Sequence, residues 1–508
     1  MGVDIDELLG RVSALRLREH CGPTTVAGIT HDSREVGPGD CFVALRGAQV
    51  DGHRYIDRAL AAGATSLVVS SDHEGHHGVT TLEADEPRRW LGAMGAAVYG
   101  DPSKELWVVA ITGTNGKTST SFLLEAIASG TAEACGVIGT TGYRWPGGFE
   151  KGVNTTPDGL TLQRVLRRMV DGGVTQVFME VSSHALALGR VAAVDFDTAV
   201  FTNLSQDHLG FHGTMCDYRQ SKWSLFRDYL PGDEGEESRT AVINTDGQEG
   251  QRLAQHLEER GQLHVIKVGT EGGGGVGQLD YRAVDIDQTV EGTRFVIEER
   301  DGRRWDVALP IPGRFNVENA LVAAAAMRQR GVDAETVGQG LSGVDRLPGR
   351  MEVVGCDAPA DVFVDYAHTP DALKQALAAL RPVTRGRLWV VFGCGGDRDQ
   401  SKRPVMGKVA QTMADRVIVT TDNPRSEDPK AILDDIEEGV DDRDKRVWWR
   451  IPDRRAAIGQ AVKEAVAGDV VLIAGKGHET TQESAGQVVK FDDREVVREA
   501  AGARGEAG

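Results

Sequence analysis

The residues best placed by type and spacing to do chemistry lie in the run Trp107-Val-Val-Ala-Ile-Thr-Gly-Thr-Asn-Gly-Lys-Thr-Ser-Thr120. It opens on a short apolar stretch, Trp107 to Ile111, and turns on Gly113 and Gly116. It then enters Lys117, Thr118 and a helical pattern over Phe122 to Ile127. Strand, glycine turn and helix make a phosphate cradle. Glycines let backbone N–H groups approach the oxygens, and the helix N-terminus adds partial positive charge. Lys117 would reach the β- and γ-phosphates, and Thr118 can hold Mg²⁺. The spacing departs from the common P-loop, because Ile111 stands where its first glycine would fall. A bare Gly-x-x-Gly-Lys could be an incidental turn; a β-rich strand before it and a helix after it favour phosphate binding.

Residues at other strand ends could complete such a site. Glu180 closes the apolar strand Val177-Phe-Met179, and Asp207-His208 follow a strand expected over 198–202. Ligands gather at the carboxyl ends of strands in open α/β sheets. Taken alone, Glu180 reads as a solvated strand end and His208 as a loop histidine. With a phosphate cradle upstream the balance reverses, because Mg²⁺ needs oxygen or imidazole donors beside the phosphates. The His73, His76, His77 group has no strand context and reads as a polar loop. Gly393-Cys-Gly-Gly396 imitates a dinucleotide turn but lacks the full Gly-x-Gly-x-x-Gly.

The elements that must position these residues alternate between strand-like and helix-like segments, so the chain reads as α/β throughout. At 508 residues it exceeds one core, and three units are expected. The first, 1–102, holds Cys41-Phe-Val-Ala-Leu45, a helix from Ile56 to Ala62, and Ser66-Leu-Val-Val69. The second, 103–346, has a P-loop ATPase-type sheet with further strands at Gln176–Glu180, Thr198–Thr202 and Ala241–Asn244. Its runs Gly232 to Glu237 and Gly272 to Gly275 read as surface loops. The third, 347–508, shows Val362–Val364, Arg387–Phe392, Arg416–Thr420 and Val470–Ala474 as buried parallel strands of a Rossmann-like unit. Its tail from Ala500 is expected to fray.

A net charge of −19 argues against nucleic acid or an anionic membrane as the main partner, though a few local cations can still hold a small polyanion. No apolar stretch approaches the ~20 residues of a membrane span. The first residues lack signal-peptide character, and six cysteines without Cys-x-x-Cys suit reduced thiols. A cytoplasmic monomer is the expectation.

Nine segments resemble the Mur ligases of peptidoglycan synthesis. They are Gly113–Ser119, Asn154-Thr-Thr-Pro157, Glu180-Val-Ser-Ser-His184, Asn203-Leu-Ser-Gln-Asp-His208 and Tyr218–Phe226, then Gly313-Arg-Phe-Asn-Val-Glu-Asn319, Leu347-Pro-Gly-Arg350, Asp365-Tyr-Ala-His-Thr-Pro370 and Gly475-Lys-Gly-His-Glu479. Their order covers nearly the whole chain. Within the family they are most similar to the branch that adds the third amino acid to UDP-N-acetylmuramoyl-L-Ala-D-Glu.

The resemblance implies a role for each matching residue. Gly113, Thr114, Asn115, Gly116, Lys117, Thr118 and Ser119 would hold the ATP phosphates. Thr118, Glu180, His208 and Lys222 would surround Mg²⁺. Lys222 matches the lysine that the family carbamylates with CO₂, which turns a repelled ammonium into an anionic ligand. Asn319 resembles the adenine contact, and Arg350 and Asp365 the phosphate and ribose contacts. Ser33 resembles the uridine side. Thr155, Thr156, Ser182 and Arg190 resemble residues holding the muramoyl dipeptide, while Leu188 stands where some relatives carry Gln. Arg398 and Asp422-Asn-Pro-Arg425 (Asp422, Asn423, Pro424, Arg425) resemble the signature for meso-diaminopimelate rather than L-lysine. Gly475 and Glu479 would receive the ammonium at that end. Without the family, Asp-Asn-Pro-Arg is only a β-turn.

The implied reaction has the D-Glu carboxylate attack the γ-phosphate while Lys117 and Mg²⁺ neutralise charge; the amine then attacks the acyl phosphate. His184 and His368 would be supporting polar groups. Alternatives are the lysine-adding ligase, a folylpolyglutamate synthetase, or a nucleotide-binding module without ligase chemistry.

Overall fold

The computed structural model describes residues 2–47, 50–75, 77–232, 239–271, 278–345, 347–441 and 447–505, with side chains through 502. His76, the Gly272 to Gly275 run and all of the acidic run beyond Gly232 lie outside the described residues.

Among the described residues three large sheets follow one another along the chain, with two two-stranded sheets beside them. The first has five strands, in the order Arg16–Glu19, Thr80–Ala84, Ser66–Ser70, Cys41–Val43 and Ile29–Thr30. Only the Arg16–Glu19 edge runs antiparallel. Phe42, Ala44, Leu67 and Val69 bury one of its faces under the helix Ile56–Ala62.

The central sheet has eleven strands. Trp107–Thr112 lies between Gln176–Glu180 and Thr198–Phe201, parallel to both; Cys135–Gly139, Thr240–Asn244 and His264–Thr270 extend the parallel block. All six residues of Trp107–Thr112 are buried, the continuous apolar run expected of a parallel strand covered on both faces. Leu123, Leu124 and Ile127 of the helix Lys117–Ala128 pack on one face. Burying each such side chain contributes roughly 1.5–3 kcal/mol. The helix Arg314–Gln329 lies alongside, its run Ala323 to Ala326 fully buried; small side chains permit that close approach.

Both margins of this sheet are antiparallel, which the α/β alternation did not predict. One carries the hairpin Gly142–Trp145 and Gly148–Glu150; at the other, Tyr281–Thr289 joins His264–Thr270 in parallel and is followed by antiparallel Gly292–Glu299 and Arg304–Leu309. In Gly292–Glu299 buried residues alternate with more exposed ones, the pattern of a strand with one wet face.

The last sheet orders Glu352–Val353, Asp361–Asp365, Val470–Ala474, Leu388–Phe392, Arg416–Val419 and Trp448–Arg450, parallel except at Glu352–Val353. One apolar cluster runs from the central helices through Leu347 and Met351 to Leu373, Leu377 and Phe392 of this unit.

The expected fraying from Ala500 is corrected. The helix Asp493–Gly505 continues past that point, because Val496, Val497 and Ala501 are buried against Ile458 and Val462. A fully buried ion pair, Arg454 to Asp493 at 2.7 Å, fastens its first turn. No helix among the described residues is long and apolar enough to cross a membrane.

Candidate functional site

Strand Trp107–Thr112 delivers its chain into the turn 113–116, and the helix Lys117–Ala128 leaves it. Gly116 has φ 87°, and a Cβ there would stand 2.2 Å from Asn319 Oδ1. Only glycine lets the turn lie against that amide. Asn203, after the neighbouring strand, clamps the turn from the other side: its carbonyl accepts from Thr114 N at 2.9 Å and its Oδ1 from Asn115 N at 2.9 Å.

Glu180 is buried at the end of its strand and gathers the site's hydroxyls. Thr118 Oγ1 donates to Glu180 Oε2 at 2.9 Å; Thr140 donates to the carboxylate through N at 2.9 Å and Oγ1 at 3.0 Å. Thr155 meets Thr140 at 3.1 Å, hydroxyl to hydroxyl. Thr156 Oγ1 donates to Glu180 O at 2.8 Å and accepts from Ser182 N at 3.0 Å, while Arg190 donates to Thr156 O at 2.9 Å. Sequence reasoning thus brought Thr118, Thr155, Thr156, Glu180, Ser182 and Arg190 into one connected group. It missed Thr140, whose signal was its place directly after the strand Cys135–Gly139.

Two lysines converge on one carbonyl. Lys117 Nζ donates to Gly113 O at 2.8 Å and to Thr114 O at 2.9 Å; Lys222 Nζ donates to Gly113 O at 2.7 Å. Lys222 is only 1% exposed on the helix Met215–Ser224, so its side chain points inward and not to solvent. Burial, then the charge of Lys117, pull its ammonium well below the ordinary lysine range. Lys117 is also lowered, chiefly by desolvation. His208 sits in the left-handed region at φ 55° beside Asp207, with His184 edge-on at 4.8 Å. Desolvation, opposed by Asp207, lowers the His208 imidazole below its ordinary range, so its neutral, ligating form prevails at neutral pH.

Among the described residues no three His, Cys, Asp or Glu side chains come together as a metal-holding group. The donor set of Thr118, Glu180 and His208 suits Mg²⁺ only with phosphate and water oxygens added, the usual case for that ion. Lys222 as an ammonium offers no lone pair; a carbamate would.

The third unit closes over the turn. Arg350 donates to Thr118 Oγ1 at 3.3 Å and lies over Tyr366, while its Nε is buried without a partner among the described residues. That unused donor suits an anion. Asp365 holds the backbone through Met351 N at 2.7 Å and Ala367 N at 2.8 Å. Asn115 Nδ2 donates across to Asp371 at 3.0 Å. His368 Nδ1 meets Tyr366 O, and Lys402 donates to His368 O. Between these elements opens a cavity of about 330 Å³, bounded by Gly116, Ser119, Asn203, Phe315, Asn319, Arg350 and Asp365 among others. That volume suits a nucleotide-sized ligand.

A second polar group forms at the ends of the last sheet's strands. Arg425, at φ 52°, donates to Gly396 O at 2.7 Å, and the side chains of Arg425 and Arg398 flank Gly395. Asn423 donates to Glu479 at 2.7 Å. Gly475, at φ 114°, has no room for a Cβ, which would stand 2.4 Å from Asp422 Oδ2. Lys476 was overlooked between Gly475 and Glu479. Its buried ammonium bonds Glu479 at 3.0 Å, Asn423 at 3.2 Å and Thr481 O at 2.6 Å, tying the Asp422–Arg425 turn to the Gly475–Glu479 loop. Arg403 was missed too; it is buried and bonded to Glu427 and Asp435 beneath the turn.

Ser33 is buried near the Ile29–Thr30 strand, with no hydrogen bond to the turn 113–116 among the described residues. Its neighbour His31 crosses to the central unit, 3.3 Å from Asp158. Leu188 is half exposed and supplies no polar group.

The three large sheets and the phosphate-type turn make this a three-domain α/β protein built around a nucleotide-sized cavity. Family models for the Mur ligase catalytic domain, middle domain and glutamate ligase domain match residues 25–99, 111–327 and 349–477. The chain is 42% identical to the UDP-N-acetylmuramoyl-L-alanyl-D-glutamate–2,6-diaminopimelate ligase of Bacillus licheniformis, covering 94% of each. It is 44% identical to the ligase of that name from Gloeobacter violaceus, again over 94% of each. A solved structure titled as such a ligase aligns with TM-score 0.67 and 35% identity, covering 99% of this chain and 100% of the other. The chain belongs to the Mur ligase family.

Proposed function

We propose that this Mur ligase joins meso-diaminopimelate to the D-Glu side chain of UDP-N-acetylmuramoyl-L-Ala-D-Glu, with ATP cleaved through an acyl phosphate, as a step of peptidoglycan precursor synthesis in the cytoplasm. The units divide at 102/103 and 346/347. The observation that carries the reading is the pair of clusters. A P-loop-like turn is bonded to Glu180 and to a desolvated Lys222, and an arginine turn, Asp422 to Arg425, stands at the strand ends of the next unit.

In this reading residues 113–119 and Arg350 hold the ATP phosphates, Asn319 meets the base and Asp365 the ribose. Thr118, Glu180, His208 and a carbamylated Lys222 hold Mg²⁺, which when bound neutralises charge on the phosphates. Lys117 places its ammonium where negative charge develops as the D-Glu carboxylate attacks. Ser33 lies on the uridine side, and Thr155, Thr156, Ser182 and Arg190 line the dipeptide's path. Arg398 and Arg425 grip the distal carboxylate of diaminopimelate, beside Asn423 and Pro424. Asp422, Gly475 and Glu479 receive its ammonium. The amine arrives neutral, attacks the acyl carbon and expels phosphate. Contacts such as Asn115 to Asp371 and Arg350 to Thr118 would help exclude water from an intermediate that hydrolyses readily.

The test supplies a UDP-dipeptide carrying heavy oxygen in the D-Glu carboxylate, with ATP and, side by side, diaminopimelate, lysine or ornithine. Ligation with diaminopimelate and label in the released phosphate are expected. Preference for lysine would move the enzyme to the sister activity, and unlabelled phosphate would remove the acyl phosphate.

A further inference from the structure

The cavity beside the turn 113–116 has an acid that the ligase reading leaves without a task. Glu318 lies on the helix Arg314–Gln329, next to Asn319, and lines the cavity with Phe315 and Ala372. One of its oxygens is fixed: Asn244 Nδ2 donates to Glu318 Oε2 at 3.0 Å. The Asn244 amide is itself locked, donating to Thr202 O at 3.0 Å and accepting from Asp246 N at 3.1 Å. The other oxygen, Oε1, takes no hydrogen bond from the protein among the described residues. A carboxyl held by one oxygen and unused at the other, on a cavity lined by both polar and apolar side chains, is built to meet a polar edge.

We propose that Glu318 reads the nucleotide base, its neutral carboxyl pairing with adenine by accepting from the N6 amine and donating to a ring nitrogen. This rests on the ATP reading of the cavity. A neutral carboxyl donates through its hydroxyl, here Oε1, and its carbonyl oxygen, here Oε2, keeps a second lone pair beside the one that Asn244 uses; adenine presents an acceptor ring nitrogen beside its amino donor. An ionised carboxylate has acceptors alone and faces the lone pair of adenine's ring nitrogen without a proton to share. Guanine's N1–H and N2–H₂ edge would instead suit that ionised form.

The surroundings favour the neutral form. Burial, then the carboxylate of Asp246, raise the Glu318 carboxyl to about 7; Asp371 acts in the same sense, while Asn244 and Arg314 oppose it. The Arg314 guanidinium is engaged with Thr270 and Glu271, so it does not pair with Glu318. Between pH 6 and 8 the neutral fraction of such a group falls about tenfold, and apparent affinity through that form falls in proportion.

The experiment measures ATP and GTP dissociation constants by calorimetry, with Mg²⁺, from pH 6 to 8 for the wild type, Glu318→Gln and Glu318→Ala. Titration of the nucleotide phosphates is common to all three proteins and cancels in the comparison. For the wild type, ATP should weaken by about tenfold relative to Glu318→Gln, and the ATP-over-GTP preference should shrink as pH rises. The Gln amide offers a donor and an acceptor at every pH, so its preference should change less than threefold. Glu318→Ala should lose most of the preference throughout. Parallel profiles for wild type and Glu318→Gln, or an unaltered preference in Glu318→Ala, would overturn the role of Glu318 while leaving the ATP reading intact. No ATP binding by any of the three would overturn the reading beneath it.

Discussion

Replacing Arg425 with alanine isolates one side chain unusually well. The backbone of Arg425 is fixed by its N–H to Glu483 O at 3.1 Å and by Ala485 N to its own carbonyl at 2.6 Å; alanine retains both bonds. Its φ of 52° is as unfavourable for alanine as for arginine, so the substitution adds no new strain of that kind. What disappears is the guanidinium, its bond to Gly396 O, and the proposed grip on the distal carboxylate of diaminopimelate. Removing one partner of a buried charge-assisted pair typically costs about 2–5 kcal/mol. The Arg425 side chain is 23% exposed, so water screens it in part and the lower end, ~2 kcal/mol, applies. At ~1.4 kcal/mol per tenfold, kcat/KM for diaminopimelate should fall roughly 30-fold. Lysine lacks the distal carboxylate, so its poor use should change little and the ratio between the amino acids should collapse. ATP KM should hold steady. Initial rates of phosphate release with each amino acid, on variants checked for an unchanged melting profile, supply the numbers. An equal loss with both amino acids would mean that Arg425 supports the loop around Gly396, and the diaminopimelate assignment would fall with it.

Lys222→Ala should fold and lose most turnover, and formate or acetate should restore part of it by replacing the carbamate oxygens; full activity without additive would end the ligand role. The His31–Asp158 pair predicts a pH-dependent link between the first two units. Its hydrogen bond to Asp158 raises His31, so that contribution is present below about 6.5 and fades as pH rises through the raised value. For Asp158, burial alone would raise the carboxyl, but His31 and Thr161 hold it well below the usual range; that contribution is present above about 3.8 and lost in acid. Both groups are about one-third exposed, which limits the pair to ~0.5 kcal/mol. The stability difference between wild type and His31→Asn should therefore peak near pH 5 to 6 and shrink by pH 8, and a difference constant across that range would exclude the pair as its source.

The local devices can be read directly from the order of residues. Buried parallel strands announce themselves as continuous apolar runs, and Gly-Thr-Asn-Gly-Lys-Thr-Ser after such a run has few other uses. The glycines at 116 and 475 meet a local requirement as well, positive φ values of 87° and 114° that other residues rarely adopt. What those devices meet depends on long-range packing. Nothing near Lys222 in sequence says that its ammonium ends 2.7 Å from the carbonyl of Gly113, 109 residues away, because desolvation is a property of the packed helix and not of its residues. Thr140, Lys476 and Glu318 act through partners on other elements, so single-residue chemistry could not distinguish them from ordinary polar positions. The antiparallel margins of the central sheet and the helix through Ala500 escaped for a related reason. Each is settled by which face another segment leaves open to cover, and that is known only once the chain has folded.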